Sequence, residues 1–463
     1  MRRHVHVLAV GLVLLSGCAG HRAPRTSPGS PGSGSVSEAS VRAHLEFLAS
    51  DALNGRGSGT RDEQIAAEYV GAQFRRLGFE PGGADGSFVQ IIDIVRTAAA
   101  GKPSITVGEQ SWTFGKEFLV GSVSSPAIAG PLQRVAGPDA RITRGAIAFI
   151  PEENQDLAGK AALAGAAAVL MKRNFTPEQW TAQAGRTPPL GTLIAGIPAA
   201  AQARPTIVSL NAGAAAALAQ VADGTTVRID TPAGEAQTSH TYNAVGILRG
   251  TDPSGDAILI TSHLDHLGRR ETAAGADKIF NGADDDASGT VAVVEIAEAL
   301  ARRKAPKRTI VFACFGSEEA GGFGATYLRE KPPAPLEKIV ANVEFEMIGR
   351  PDPKVPARSL WLTGYERSDL GAALASHGAR IVQDPHPDQN FFQRSDNYTL
   401  AVRGVVAHTV SSFGLHKDYH QVSDETKMVD YAHMTEAIGS MVEPLWWLAN
   451  AAFRPAWKAG MRP

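Results

Sequence analysis

The chain has 463 residues, of which 43% are hydrophobic and 20% charged. That composition supports a large buried core and excludes wholesale disorder. Basic residues number 45 and acidic ones 47, a net charge of −2 with no long basic run, which argues against a dedicated nucleic-acid binder. The two cysteines, Cys18 and Cys314, exclude a disulfide framework and a multi-cysteine zinc site. Any metal must therefore be held by histidine and carboxylates.

Met1-Arg2-Arg3 gives a positively charged start, and Val5 to Leu15 is an apolar run too short to stay as a membrane span. Leu15-Ser16-Gly17-Cys18 then resembles the bacterial lipoprotein signal, in which the chain is cleaved before a cysteine that receives lipid. The resemblance implies a signal peptide over 1–17, lipidation at Cys18, and an exported protein whose only membrane contact is its lipid anchor. In a cell with two membranes it would sit at the outer membrane or face the periplasm. Residues 18–36, with Pro24, Pro28, Pro31 and their neighbouring glycines, read as a flexible tether.

Ser37 to Ala52 reads as a helix with Ser37 as its N-cap and Val41, Leu45 and Leu48 on the apolar face. A second helix is predicted from about Asp62 to Leu77, stopped by Gly78. From 97 to 238 the chain is rich in Ala, Gly and short β-like runs such as Gly145 to Ile150 and Ala167 to Met171. This stretch has no catalytic cluster and reads as an inserted, β-rich α/β domain. Its Gly159-Lys160-Ala161 and Gly165 to Leu170 runs resemble the protease-associated insert of exported peptidases.

After Thr241, apolar runs alternate with helical patterns. Ala257 to Thr261, Arg308 to Phe315, Ile339 to Phe345 and Gly404 to His408 are nearly unbroken, as expected of strands covered on both faces. Helices are predicted over Ser288 to Arg303 and Tyr431 to Asn450. The fold class is thus α/β, a mostly parallel central sheet sandwiched by helices, formed by 37–96 and 239–455 around the insert at 97–238. Ligands of such sheets bind beyond the carboxyl ends of the strands.

The chemistry-bearing residues fall at those ends. His263-Leu264-Asp265 closes one strand, and an Asp two residues on can accept the second ring proton of a ligand histidine. Asp284-Asp285-Asp286 sits among small residues before a helix, where a cation would relieve the mutual repulsion. Glu318-Glu319 follows another strand and invites a division between metal ligand and general base. Glu344 and Glu346 share one face of the next strand, and His420 lies in a late polar loop. Cys314 reads as a core residue. Of the remaining histidines, His266 and His416 lie close enough in sequence to support the ligands.

Together His263-Leu264-Asp265, Ala283 to Gly289, Ser317-Glu318-Glu319, Glu346-Met347-Ile348-Gly349 and His420 resemble the exported di-zinc exopeptidases, the group of bacterial aminopeptidases, glutamate carboxypeptidase and the transferrin receptor. Leu48-Ala49-Ser50-Asp51 and Gly55-Arg56-Gly57 share the likeness. The resemblance implies two Zn2+ ions, with cobalt or manganese as alternatives. His263 and Glu346 would hold one ion, Glu319 and His420 the other, and Asp285 would bridge them. Glu318 would be the general base toward a metal-bridging water, and Asp265 would orient His263. A one-residue shift of register would make Asp284 or Asp286 the bridge, and Glu344 competes with Glu346.

Two departures stand out: relatives commonly carry Asp at Glu346, and Ser-Asp-His where this chain has Ser395-Asp396-Asn397. Phe391, Phe392, Tyr398, Phe413 and Tyr419 are candidates for the wall of a side-chain pocket. The implied activity is an aminopeptidase acting on peptides with a free N-terminus. The alternatives are a glutaminyl-cyclase-like aminoacyl transferase and a non-catalytic binding module on the same fold. Oligomeric state leaves no signature in the sequence.

Overall fold

A computed structural model describes residues 36–463 except 138, 189, 199–201, 203–204 and 274. The expected signal peptide at 1–17, Cys18 and the tether up to residue 35 lie outside the described residues.

Ser37 caps the first helix, Glu38–Leu48, its side chain accepting from the Ser40 N–H. A short 3-10 segment, Asp51–Arg56, leads into the second helix, Arg61–Arg76, capped by Thr60. Both pack their apolar faces on a core shared with helix Gly289–Ala301 and the terminal helix Tyr431–Asn450. Helix Gly289–Ala301 is buried nearly all round, with Val291, Val293, Val294 and Ile296 at zero exposure. Each such aliphatic side chain contributes about 1.5–3 kcal/mol on leaving water, so this helix anchors the layer beneath the site.

The main sheet runs in the order 381–383, 360–362, 407–411, 339–345, 257–263, 309–315, 233–248, 89–99 and 192–194. Its four central strands, Ala407–Ser411, Ile339–Phe345, Ala257–His263 and Thr309–Phe315, are mutually parallel. Their burial is almost complete, which explains the unbroken apolar runs. The flanking pairs 233–248 with 309–315 and with 89–99 are antiparallel.

Among the described residues, 104–230 hold all eight strands of a second sheet, with its own apolar core around Phe118, Phe149, Leu170 and Val208. The expected boundaries at 96/97 and 238/239 fall inside two continuous strands, Val89–Ala99 and Ala233–Leu248, paired from Ala99 with Ala233 to Val89 with Ala244. Thr192–Ile194, from within the 97–238 stretch, pairs with Ile94 to Arg96 at the edge of the main sheet. Among the described residues, no helix is long and apolar enough to cross a membrane.

Candidate metal centre

Three of the four central parallel strands end at one place. Strand Ala257–His263 delivers His263, strand Thr309–Phe315 leads to Glu318 and Glu319, and strand Ile339–Phe345 leads to Glu346. The loop before helix Gly289–Ala301 enters between them. It turns at Gly282, whose φ of 55° is left-handed and where a Cβ would stand 2.2 Å from the Asp285 carbonyl oxygen. At Gly289 a Cβ would come within 2.5 Å of both Asp286 carboxylate oxygens. The small residues around the aspartates are there because the main chain is this close.

The three adjacent carboxylates part company. Asp284 accepts from the Gly349 N–H at 2.7 Å and faces His416 Nε2 at 2.9 Å. Asp286 accepts from the N–H groups of Gly289 and Met347, each at 3.0 Å, and of His263 at 3.2 Å. Asp285 alone enters the donor cluster. Its Oδ1 lies 3.3 Å from His263 Nε2, and its Oδ2 lies 3.1 Å from His420 Nε2. Burial opposes its ionisation, but His263, His266 and His420 outweigh that and hold its carboxyl well below the ordinary range. The middle aspartate spans the two halves of the cluster.

On one side His263, Asp285 and Glu346 offer ligand atoms within 4.8 Å of one another. Glu344 is turned away, its Oε2 accepting from the Asn397 N–H at 2.5 Å and the Thr409 hydroxyl at 3.1 Å. On the other side His266, Asp285 and Glu319 form a second such group, and His420 Nε2 stands 3.0 Å from Glu319 Oε1. Burial lowers and the Asp285 and Glu319 carboxylates raise the His420 pKa, to about 9.

Whether these residues suit divalent ions can be read from their unused atoms. His263 Nε2, both ring nitrogens of His266 and Glu319 Oε1 are buried without a hydrogen-bond partner. His263 Nε2 nevertheless lies 3.3 Å from Asp285 Oδ1 and His266 Nδ1 lies 2.9 Å from Glu319 Oε1, close in distance but not aligned for a hydrogen bond. Buried polar atoms left this way cost free energy unless something else takes their lone pairs. Imidazole and carboxylate donors converging so are the ligand chemistry of zinc. The residues fit two divalent cations.

Glu318 stands half-buried beside them. Burial pushes its carboxyl well above the ordinary value, and the charges of Asp396, Glu346 and Glu319 reinforce this against the opposing effect of His263. Asp265 holds the base loop in place: it accepts from the Glu318 N–H at 2.9 Å, the Glu319 N–H at 3.3 Å and the Ser58 hydroxyl at 2.5 Å. Toward His263 Nδ1 the nearer atom is the Asp265 carbonyl oxygen at 3.2 Å, with the carboxylate at 3.7 Å. Asp265 thus orients His263 chiefly through its main chain and positions Glu318 through its side chain.

A small cavity of about 30 Å³ opens beside Glu346, walled by Met347, Trp361, Phe391, Phe413 and Tyr419. Two pocket candidates need correction. Phe392 and Tyr398 pack with each other, and Phe392 also meets His408 and Trp457, in a separate apolar cluster. Phe391 and Phe392 are neighbours in one 3-10 turn, so their side chains leave about 120° apart and enter different clusters. Asn397 is buried and accepts from the Thr409 hydroxyl at 3.0 Å, and it does not line the cavity.

Residues 243–443 match the family model of peptidase family M28. Over that span, less than half of its length, the chain is similar to that family. A probable zinc metalloprotease of Pyrenophora teres f. teres (strain 0-1) is 24% identical over 247 residues, 46% of this chain and 49% of that protein. Leupeptin-inactivating enzyme 1 of Streptomyces exfoliatus is 34% identical over 114 residues, 24% of each chain. The chain therefore spans half or less of these curated relatives. Among solved structures, an aminopeptidase from Aneurinibacillus sp. strain AM-1 superposes with a TM-score of 0.50 at 20% identity, covering 90% of this chain and 95% of its own. A zinc aminopeptidase of Bacillus subtilis gives 0.50 at 18%, covering 90% and 96%. At such identities the likeness is one of fold, and it extends across the 104–230 sheet.

Several supporting residues show their role only in the structure. Arg56 is fully buried and donates to the carbonyls of Leu48, Leu264, Asn281 and Gly282. Asp424 accepts from the N–H groups of Asp284 and Asp285. Glu63, in the first turn of the second helix, accepts from the Ser317 N–H in the loop that carries Glu318. His266, near in sequence, is brought fully into the cluster.

Proposed function

We propose that this chain is a zinc-dependent aminopeptidase that holds two ions and removes N-terminal residues with apolar side chains. The observation that carries the reading is the pair of converging donor groups with unpaired lone pairs, sharing Asp285 and flanked by Glu318. His263, Asp285 and Glu346 would hold one ion, and Asp285, Glu319 and His420, joined by His266, the other. Ions bound there supply a lowered water pKa and polarisation of the scissile carbonyl.

The remaining work falls to side chains. Glu318 takes a proton from the attacking water and returns it to the leaving amine nitrogen. After burial, the carboxyl groups of Asp396, Glu346 and Glu319, crowded together with Glu318 at the site, raise the Glu318 pKa. That surplus suits a substrate carrying a free, positively charged α-amine, which fixes the cut at the first peptide bond. The aromatic wall of Trp361, Phe391, Phe413 and Tyr419 takes the first side chain.

The test is a panel of aminoacyl and dipeptide substrates, each paired with its N-acetylated form, assayed with chelator and after zinc is restored. Free-amine substrates should be cleaved, chelation should abolish cleavage, and zinc should return it. Equal cleavage of the acetylated forms would sink the aminopeptidase reading. Export and lipid attachment at Cys18 belong to the same proposal. Labelled fatty acid should enter the wild-type protein in cells, and failure of Cys18→Ser to prevent it would refute the attachment site.

A further inference from the structure

We propose that the two metal positions are unequal, because His266 closes one of them with a fourth protein donor while the other keeps an open corner. The inference rests on the zinc reading above and deepens it.

Around the second position stand Glu319 Oε1, Asp285 Oδ2, His420 Nε2 and His266 Nδ1. Glu319 Oε1 lies 2.9 Å from His266 Nδ1 and 3.0 Å from His420 Nε2; Asp285 Oδ2 lies 3.1 Å from His420 Nε2 and 3.8 Å from His266 Nδ1. Donors held roughly 2.0–2.2 Å from a tetrahedral zinc sit about 3.3–3.6 Å apart. The observed separations straddle that range.

His266 has no other employment. Its ring is fully buried, and neither nitrogen has a hydrogen-bond partner. The residue's place is set from behind: the main-chain N–H of His266 donates to the Arg56 carbonyl at 3.0 Å. The ring lies so close to Gly282 that a Cβ there would come within 2.5 Å of its Cγ. A buried imidazole with both nitrogens unpaired is a costly ornament for a core, whereas a pre-aimed ligand is its ordinary reason to exist.

The first position gathers three protein donors, His263, Asp285 and Glu346, and Glu346 is the one that borders the aromatic cavity. Zinc sites with four protein ligands are closed and hold their ion tightly. Sites with three keep a position for water or substrate. The second position is therefore the permanent, shape-giving one, and the first is where substrate exchanges with solvent.

The experiment uses the full chain, stripped with chelator and titrated with zinc against a chromophoric competitor, then with cobalt(II) in the visible spectrum. Wild type should bind two ions in two resolved steps, the first equivalent of cobalt giving the intense absorption of a four-coordinate site. His266→Gln should weaken the tighter step by about 10–100-fold, leave the other step in place and dim the first-equivalent cobalt spectrum. His266→Cys should bring that spectrum back with an added thiolate-to-cobalt charge-transfer band in the near ultraviolet, which only a folded site with the residue on the metal can show. Unchanged steps and spectrum in His266→Gln, or no charge-transfer band in His266→Cys, would overturn the inference while leaving the zinc reading standing. Absence of any zinc or cobalt uptake by wild type would remove both.

Discussion

The Ser317 N–H donates to Glu63 Oε1 across 2.7 Å, tying a helix near the amino terminus to the loop that carries Glu318. Ser317 has a left-handed φ of 55°, an uncommon conformation for a residue with a side chain, so the loop needs an external hold. Glu63 supplies it while also accepting from the Gly59 N–H and the Thr241 hydroxyl. Burial, then the nearby Asp265 charge, push its carboxyl well above the usual range. Glu63→Ala should cost about 1–3 kcal/mol in unfolding experiments, from donors left unpaired. It should also lower kcat far more than it raises KM, because the base loop loses its support and the pocket does not. Glu63→Gln, which keeps an acceptor for Ser317, should recover much of the rate. A normal kcat in Glu63→Ala would contradict the positioning role.

Arg56 does the same for the metal loops. Its guanidinium bonds to carbonyls on both sides of the cluster, Leu264 after His263 and Gly282 before the aspartates, and burial lowers its pKa to about 10. Arg56→Lys keeps the charge but loses the planar fork that reaches several carbonyls at once. We expect both Arg56→Lys and Arg56→Met to destabilise the chelated protein, the latter by about 3–5 kcal/mol, measured by urea unfolding. Equal stability of Arg56→Lys and wild type would show that charge alone suffices.

These two residues mark where reading the sequence stops. The central strands were legible because burial on both faces leaves unbroken apolar runs, and the candidate ligands were legible because such strands present side chains to a site at their carboxyl ends. Arg56 and Glu63 act across separations of 208 and 254 residues, which no local pattern encodes. Strand Ala233–Leu248 was half hidden for another reason. Its first part, through Glu235, Gln237 and Thr238, is exposed and polar, so it read as the end of an insert rather than as a continuing strand. In the pocket, adjacency misled: Phe391 lines the cavity and Phe392 does not.

His408 sets a pH dependence of stability. It is fully buried between the Ser368 hydroxyl and the Thr363 carbonyl, and burial lowers its pKa from 6.5 to about 4. The unfolded chain takes up its proton below about pH 6.5 while the folded one does not until about pH 4. The stability contributed by neutral His408 is therefore present above pH 6.5 and is lost as pH falls toward 4, by about 3 kcal/mol over the window. Urea unfolding of wild type and His408→Gln across that range should show the gap between them closing by about that amount. A gap constant with pH would mean that His408 titrates alike in both states.

The aromatic cavity predicts how selectivity changes. Trp361 stacks on Phe391 at 5.3 Å between ring centroids, and Phe413 meets Phe391 edge-on at 5.9 Å, so the wall is one packed unit. Phe391→Ala should raise KM for substrates with large apolar first residues by about ten-fold or more while altering alanyl substrates little. The measurement is the kcat/KM ratio of leucyl or phenylalanyl to alanyl substrates, and an unchanged ratio would move the pocket elsewhere.

Glu318 and Glu319 are adjacent, yet their surroundings push their carboxyls in opposite directions, and a pair of substitutions tests the duties proposed for them. Glu319 faces His266 and His420 at 2.9 and 3.0 Å; burial opposes its ionisation, but those histidines hold its pKa below the ordinary value, as befits a ligand. Glu318 is pushed the other way, first by burial, as befits a group that must accept a proton. Glu318→Gln should therefore retain both zinc ions and lose hydrolysis by about 10²–10⁴-fold, the usual worth of a positioned general base. Glu319→Gln should lose metal affinity first, and part of its activity should return at high added zinc. Zinc content and initial rate, measured on the same preparations, decide the assignment. Full activity in Glu318→Gln, or zinc loss there with retention in Glu319→Gln, would reverse the two roles.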